Sequence, residues 1–183
     1  GSGAAKAFWG MGAHVTVLDT NINALETIYN TLPGVVTMIS NPINIERACA
    51  YADIVVAAIL VPGERPPIII TRQMLRNMKP RSIIMDISID EGGCVETSRP
   101  TTNEKPTFIE EGIIHYCVPN IPSVVARTST YAFLNAAMPF ILEIVEKGVD
   151  RAIAENPAIE HGIGTYQGKV RHISSLSPLA QME

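Results

Sequence analysis

Short apolar runs alternate with helical patterns along most of this chain, and that alternation constrains the fold more than any other feature. The runs cover residues 14–18, 35–39, 54–60, 82–86 and 113–118, are rich in Val and Ile, and each meets a polar or turn-forming residue at its end. Between them, residues 21–29, 45–51 and 71–78 carry helical spacing, with Thr71 as an N-cap and Lys79-Pro80 as a stop. Strands joined through helices pair in parallel. The pattern therefore predicts an α/β fold, a Rossmann-like doubly wound parallel sheet.

The run 82–86 (SIIMD) is nearly all apolar and is expected to be buried on both faces of the sheet. Ile87 and Ile89 carry the chain just past it and place Asp90, followed by Glu91, Gly92 and Gly93. In open α/β sheets ligands bind at the carboxyl ends of the strands, so Asp90 beside two glycines reads as a ligand-edge carboxylate. It reads equally well as a turn cap.

The amino-terminal end has no strand in front of it. Gly1-Ser2-Gly3 runs into a helical pattern over residues 4–11, and the strand 14–18 then delivers Asp19. Seventeen residues separate Gly1 from Asp19. That spacing suits the last glycine of a dinucleotide fingerprint and the acidic residue that grips the adenosine ribose. A Gly-Ser-Gly start is also what an appended linker looks like. On the fingerprint reading, the first and central strand of the sheet is missing, and strands 14–18 and 54–60 should not pair with each other.

Composition narrows the function classes. Net charge is −4 and the pI about 5.6, which gives no electrostatic footprint for nucleic acid. No uninterrupted apolar run approaches the ~20 residues of a membrane span, so no membrane partner is expected. Three cysteines, Cys49, Cys94 and Cys117, fall at no metal-ligand spacing and suit a reducing cytosol; no metal is expected. After Pro122 the pattern changes. Residues 128–130 can cap a long helix running to Lys147, kinked at Pro139 and too apolar to be only a surface cover. Two domains are therefore expected, residues 1–122 for the sheet and 123–183 for a helical segment, with residues 150–183 irregular.

Several uncommon motifs together carry a family resemblance. ADIVVAAILVPG (52–63), MKP (78–80), SIDEGGC (88–94), TSRPTT (97–102) and HYCVPNIPSVVARTST (115–130) strongly resemble alanine dehydrogenase, in order and spacing. The likeness runs from Gly1 to about Lys169. The related transhydrogenase α subunit shares the architecture and differs at SIDEGGC.

What the resemblance implies is NAD-dependent oxidative deamination of L-alanine to pyruvate and ammonia, and the reverse. Hydride leaves the α-carbon, an imine forms, water adds and ammonia departs. The cofactor carries the hydride while the protein orients and moves protons. By the same resemblance Gly1 lies at the phosphate loop and Asp19 holds the adenosine ribose. Ser40 touches adenine or its ribose, and Ile59 and Leu60 line the groove through their backbone groups. Ile87, Asp90, Val118 and Asn120 surround the nicotinamide, Asn120 being also a plausible turn residue after Pro119. With no arginine in 20–24, NAD is expected over NADP. Asp90 is the catalytic candidate. The family's substrate-binding arginine and lysine and its catalytic histidine would lie in an amino-terminal domain; His14, His115, His161 and His172 match none of them, and His115 reads as a packed core residue. The resemblance further implies a cytoplasmic homo-oligomer, a hexamer, with the long helix packed on the substrate domain. The competing reading is a nucleotide-binding module without turnover.

Overall fold

The structure, a computed structural model, describes residues 1–172; the carboxyl-terminal stretch 173–183, the end of the expected second domain, lies outside the described residues. The chain divides into two compact units, one of residues 1–60 and 66–119, the other of residues 61–65 and 120 onward.

The first unit alternates as the sequence predicts. Its elements are α1 (Ser2–Gly10), β1 (Thr16–Asp19), α2 (Ile22–Thr31), β2 (Val36–Ile39), α3 (Pro42–Tyr51), β3 (Ile54–Ala57), α4 (Arg72–Arg76), β4 (Ile83–Asp86), β5 (Thr107–Glu110) and β6 (Ile113–Tyr116). Side-chain caps begin α2, α3 and α4: Asn21 accepts the N–H groups of Asn23 and Ala24, Asn41 that of Asn44, and Thr71 that of Met74. β1 pairs β2 in parallel, and β3, β4 and β6 form a second parallel array. β1 and β3 belong to separate sheets and share no ladder, as the fingerprint reading requires.

Three expectations need correction. The sequence pattern assigns no strand between 86 and 113, but β5 begins at Thr107 and pairs antiparallel with β6. The hairpin turn is Glu111-Gly112, with φ of 50° and 76°, both in the left-handed region that a two-residue primed turn demands. A glutamate there is unusual. Arg72 Nη1 meets Glu110 and Glu111 at 2.7 Å each, and Arg76 Nε meets Glu111 at 3.0 Å, which offsets the backbone cost. Arg76, then Arg72, hold the Glu111 carboxyl down at about 2. Second, β4 is not equally buried on both faces. Ile84 and Asp86 are sealed, at 0% and 1% exposure, while Ile83 and Met85 are half-buried. Third, β3 ends at Ala57, three residues earlier than its apolar run.

The core lies under the second array, where Leu75 and Ile84 are fully buried and pack with Ala57, Ile70 and Ile113. Each such aliphatic side chain contributes about 1.5–3 kcal/mol by leaving water. His115 is a core residue, as read from the sequence. Its Nδ1–H donates to the Ile113 carbonyl at 3.0 Å, which leaves Nε2 to accept from Thr97 Oγ1 at 2.8 Å, and its ring stacks on Phe108 at 4.8 Å.

The second unit holds α5 (Ala126–Lys147), α6 (Val149–Glu155), α7 (Pro157–His161) and a small hairpin of β7 (Thr165–Tyr166) and β8 (Lys169–Val170). The long helix starts at Ala126, ahead of the expected cap, and the Ser129 hydroxyl donates to the Pro122 carbonyl instead. Residues 150–170 are not irregular: Asn156 caps α7, and Gln167-Gly168 turns the hairpin at positive φ. No side chain of α5 is buried, and Phe133 and Val145 are 71% and 74% exposed. Residues Ile121–Lys147 are by length and composition long and apolar enough to cross a membrane. A core helix of a soluble protein meets the same criterion.

Candidate active site

The strand after which Asp90 falls does not simply open into a loop. Asp86, the last residue of β4, caps a 3-10 helix, Ile87–Glu91, by accepting the N–H of Ser88 on Oδ1 at 3.1 Å. Its Oδ2 accepts the N–H groups of Cys94 and Val95 at 3.0 and 3.2 Å. A buried carboxylate with three charge-assisted bonds is fully provided for. Asp90 sits on the exposed side of this helix and Ile87 is half-buried.

The two glycines have a structural reason beyond ligand approach. Gly92 ends the helix at φ 101°, in the left-handed region. Gly93, at φ 78°, passes against the Asp86 carboxylate itself.

The neighbouring segment, just past β3, is tied to the same helix. The Ser88 hydroxyl accepts the N–H of Ile59 at 2.8 Å and donates to the Ile59 carbonyl at 2.7 Å. The Ile59 N–H and carbonyl are both engaged by Ser88, while Leu60 is 71% exposed. Gly1, at the start of α1, lies beside Ala58: a Cβ on Gly1 would stand 3.8 Å from that of Ala58. Val118, two residues beyond β6, is only 2% exposed and belongs to the core.

A second group forms at the ends of β1 and β2. The Ser40 N–H donates to the Asp19 carbonyl at 2.9 Å, and Asp19 Oδ1 accepts the N–H of Asn21 at 2.8 Å. The last expected residue, Asn120, begins the second unit. It adopts the left-handed conformation (φ 52°, ψ 48°), which asparagine tolerates, and its carbonyl accepts the Ser123 N–H at 2.9 Å. Open hollows in the second unit, lined largely by Ile, Gly and His, include none of these residues.

Sequence reading missed Asp86 and Ser88. The only local signal was Asp86 itself, an acidic residue closing an apolar strand. Cys94 and Cys117 are buried thiols; burial, then the Asp86 charge, pushes Cys94 up to about 11, and burial also raises Cys117. Neither is disposed to act as a nucleophile.

The family model described as "Alanine dehydrogenase/PNT, C-terminal domain" matches residues 1–173. The chain belongs to this family. A curated alanine dehydrogenase from Halomonas elongata is 43% identical over 173 residues, covering 94% of this chain and 47% of the relative. A solved L-alanine dehydrogenase superposes with a TM-score of 0.84 at 33% identity, over 98% of this chain and 50% of that one. A transhydrogenase from Sinorhizobium meliloti shares the fold, with a TM-score of 0.70 at 24% identity over 80% of this chain and 42% of that one. This alanine dehydrogenase/PNT C-terminal chain thus spans about half the length of the curated relatives it matches.

Proposed function

We propose that the chain supplies the NAD-binding half of an NAD-dependent alanine dehydrogenase, which interconverts L-alanine with pyruvate and ammonia. The observation that carries this is the placing of Asp90. It stands on a 3-10 helix fixed at the end of β4, in a chain that superposes over 98% of its length on an L-alanine dehydrogenase.

The residues fit such a cofactor. Glycine at the start of α1, against the small side chain of Ala58, leaves room for close approach of a phosphate to helix N–H groups. Asp19 ends β1, where a carboxylate accepts ribose hydroxyls, and Ser40 is fixed to it through the main chain. Ile87, Asp90 and Val118 make up the nicotinamide side, and Ile59 and Leu60 line the groove. NAD, when bound, accepts or returns the hydride.

The remaining chemistry falls to the chain. Asp90, exposed and carboxylate-bearing, orients the substrate amino group and takes a proton on its side-chain oxygen as nitrogen is released. The apolar face of α5 is covered by the substrate-binding half, which contributes the groups that hold the pyruvate carboxylate. The assembly is a cytoplasmic homo-oligomer, a hexamer by family likeness, and the three buried, unpaired cysteines accord with a reducing compartment.

The test is alanine-dependent NADH formation by the full-length protein. Turnover with L-alanine and NAD, falling to a small residual rate in Asp90→Asn, is the expected result. Tight NADH binding with no turnover of alanine would instead make the protein a nucleotide-binding module and overturn the assignment.

A further inference from the structure

We propose that Asp86 and Ser88 are positioning residues, which fix the helix bearing Asp90 and the wall at Ile59–Leu60 in one relation to each other. The inference rests on the alanine dehydrogenase reading above. It assigns a task to two buried polar side chains that touch neither substrate nor cofactor.

The geometry gives the reason. In the β3–β4 ladder Ala57 stands level with Asp86, so Ile59, two residues on, falls level with Ser88. Beyond Asp86 the chain has turned into a 3-10 helix and offers no strand-like backbone to Ile59. The Ser88 hydroxyl replaces both missing bonds, because a hydroxyl donates and accepts at once. Pairing thus continues two residues past the end of the ladder, through a side chain that is 3% exposed.

Asp86 does the corresponding work on the other side. It gathers the N–H of Ser88, near the start of the helix, and those of Cys94 and Val95, beyond the two glycines. The segment carrying Asp90 is therefore closed at both ends on one carboxylate. Cys94 Sγ fills the space between, 3.6 Å from both Asp86 Oδ1 and Ser88 Oγ. A hydride donor and a proton-transfer group that must meet the same substrate carbon tolerate little misplacement. Errors near 1 Å cost on the order of 10²-fold in rate.

The experiment is a double-mutant cycle between Ser88→Ala and Asp90→Asn in the full-length protein, reading kcat, KM for NAD and alanine, and melting temperature. Ser88→Ala is expected to lower kcat/KM by about 10- to 100-fold, and Ser88→Thr, which keeps the hydroxyl, to recover most of it. On the residual rate of Asp90→Asn, adding Ser88→Ala should cost only a few-fold, because the group it positions no longer acts. Should Ser88→Ala fail to fold, Ser88→Cys carries the same cycle. Losses that multiply independently, or a lowered melting temperature with kcat and KM unchanged, overturn the positioning role alone. Full turnover by Asp90→Asn overturns the reading on which it rests.

Discussion

Gly93 passes so near Asp86 that a Cβ added to it would stand 2.8 Å from the carboxylate oxygen Oδ2. Two penalties then coincide, the left-handed backbone at φ 78° and a collision with a buried group that three N–H donors hold in place. Gly93→Ala is expected to cost more than the roughly 1–3 kcal/mol of backbone strain alone. Gly112→Ala, at φ 76° with open space around it, supplies the control and should cost only that strain. Urea denaturation of the two variants compares them directly. Equal losses would show that the carboxylate yields.

Cofactor choice should hinge on Asp19. In the proposed site a carboxylate there would accept ribose hydroxyls and repel a 2′-phosphate, so the full-length protein should bind NADH well ahead of NADPH. Asp19→Ala should narrow the gap, at a cost to NADH of about 1–3 kcal/mol for charge-assisted bonds. Fluorescence titration measures both. Equal affinity in the unmutated protein would remove Asp19 from the site.

His115 predicts an acid-side loss of stability. Burial lowers its pKa below the ordinary value, with the bond to Ile113 opposing. The folded state therefore holds fewer protons than the unfolded one once the pH drops to the unfolded value of about 6.5. Its contribution is complete above that pH and is lost as the pH falls toward the folded value. Denaturation between pH 7.5 and 5 should show stability rising with pH, and an NMR titration of the ring should place its midpoint below 6.5. A midpoint above it would contradict the packing.

The cysteines predict silence. Burial pushes Cys49 up to about 11, and burial with Asp86 does the same for Cys94. Thiolate is scarce at pH 8 and access is closed, so a disulfide reagent should label the native protein slowly and label Cys49, Cys94 and Cys117 promptly in denaturant. Rapid native labelling of Cys94 would mean that the helix carrying Asp90 opens.

The parallel framework was legible because each strand is a Val- and Ile-rich run ending at a residue that stops it. Asp19 and Asp90 stood out for the same reason, as carboxylates just past such runs. β5 was hidden by its neighbours. Its turn puts Glu111 in a conformation that favours glycine or asparagine, and the arginines that compensate lie on α4, more than thirty residues earlier. Asp86 was hidden differently. Its three donors include two from Cys94 and Val95, which approach only after the chain has turned through Gly92 and Gly93. Local sequence carries no mark of a partner that returns from outside the strand.

The break between β1 and β3 divides the hydrogen-bonded framework of the first unit into two blocks, β1-α2-β2 and β3 through β6. Ladder bonds are what make neighbouring strands open together, so these blocks are expected to open separately. Amide exchange of the isolated chain should resolve two classes of protection, the slower in β4 and β6, each paired on both sides or sealed by the core. The residues proposed for adenosine, Asp19 and Ser40, sit in the block that opens first. In the chain by itself, the adenosine end of the site would come and go while the Asp90 end stays formed.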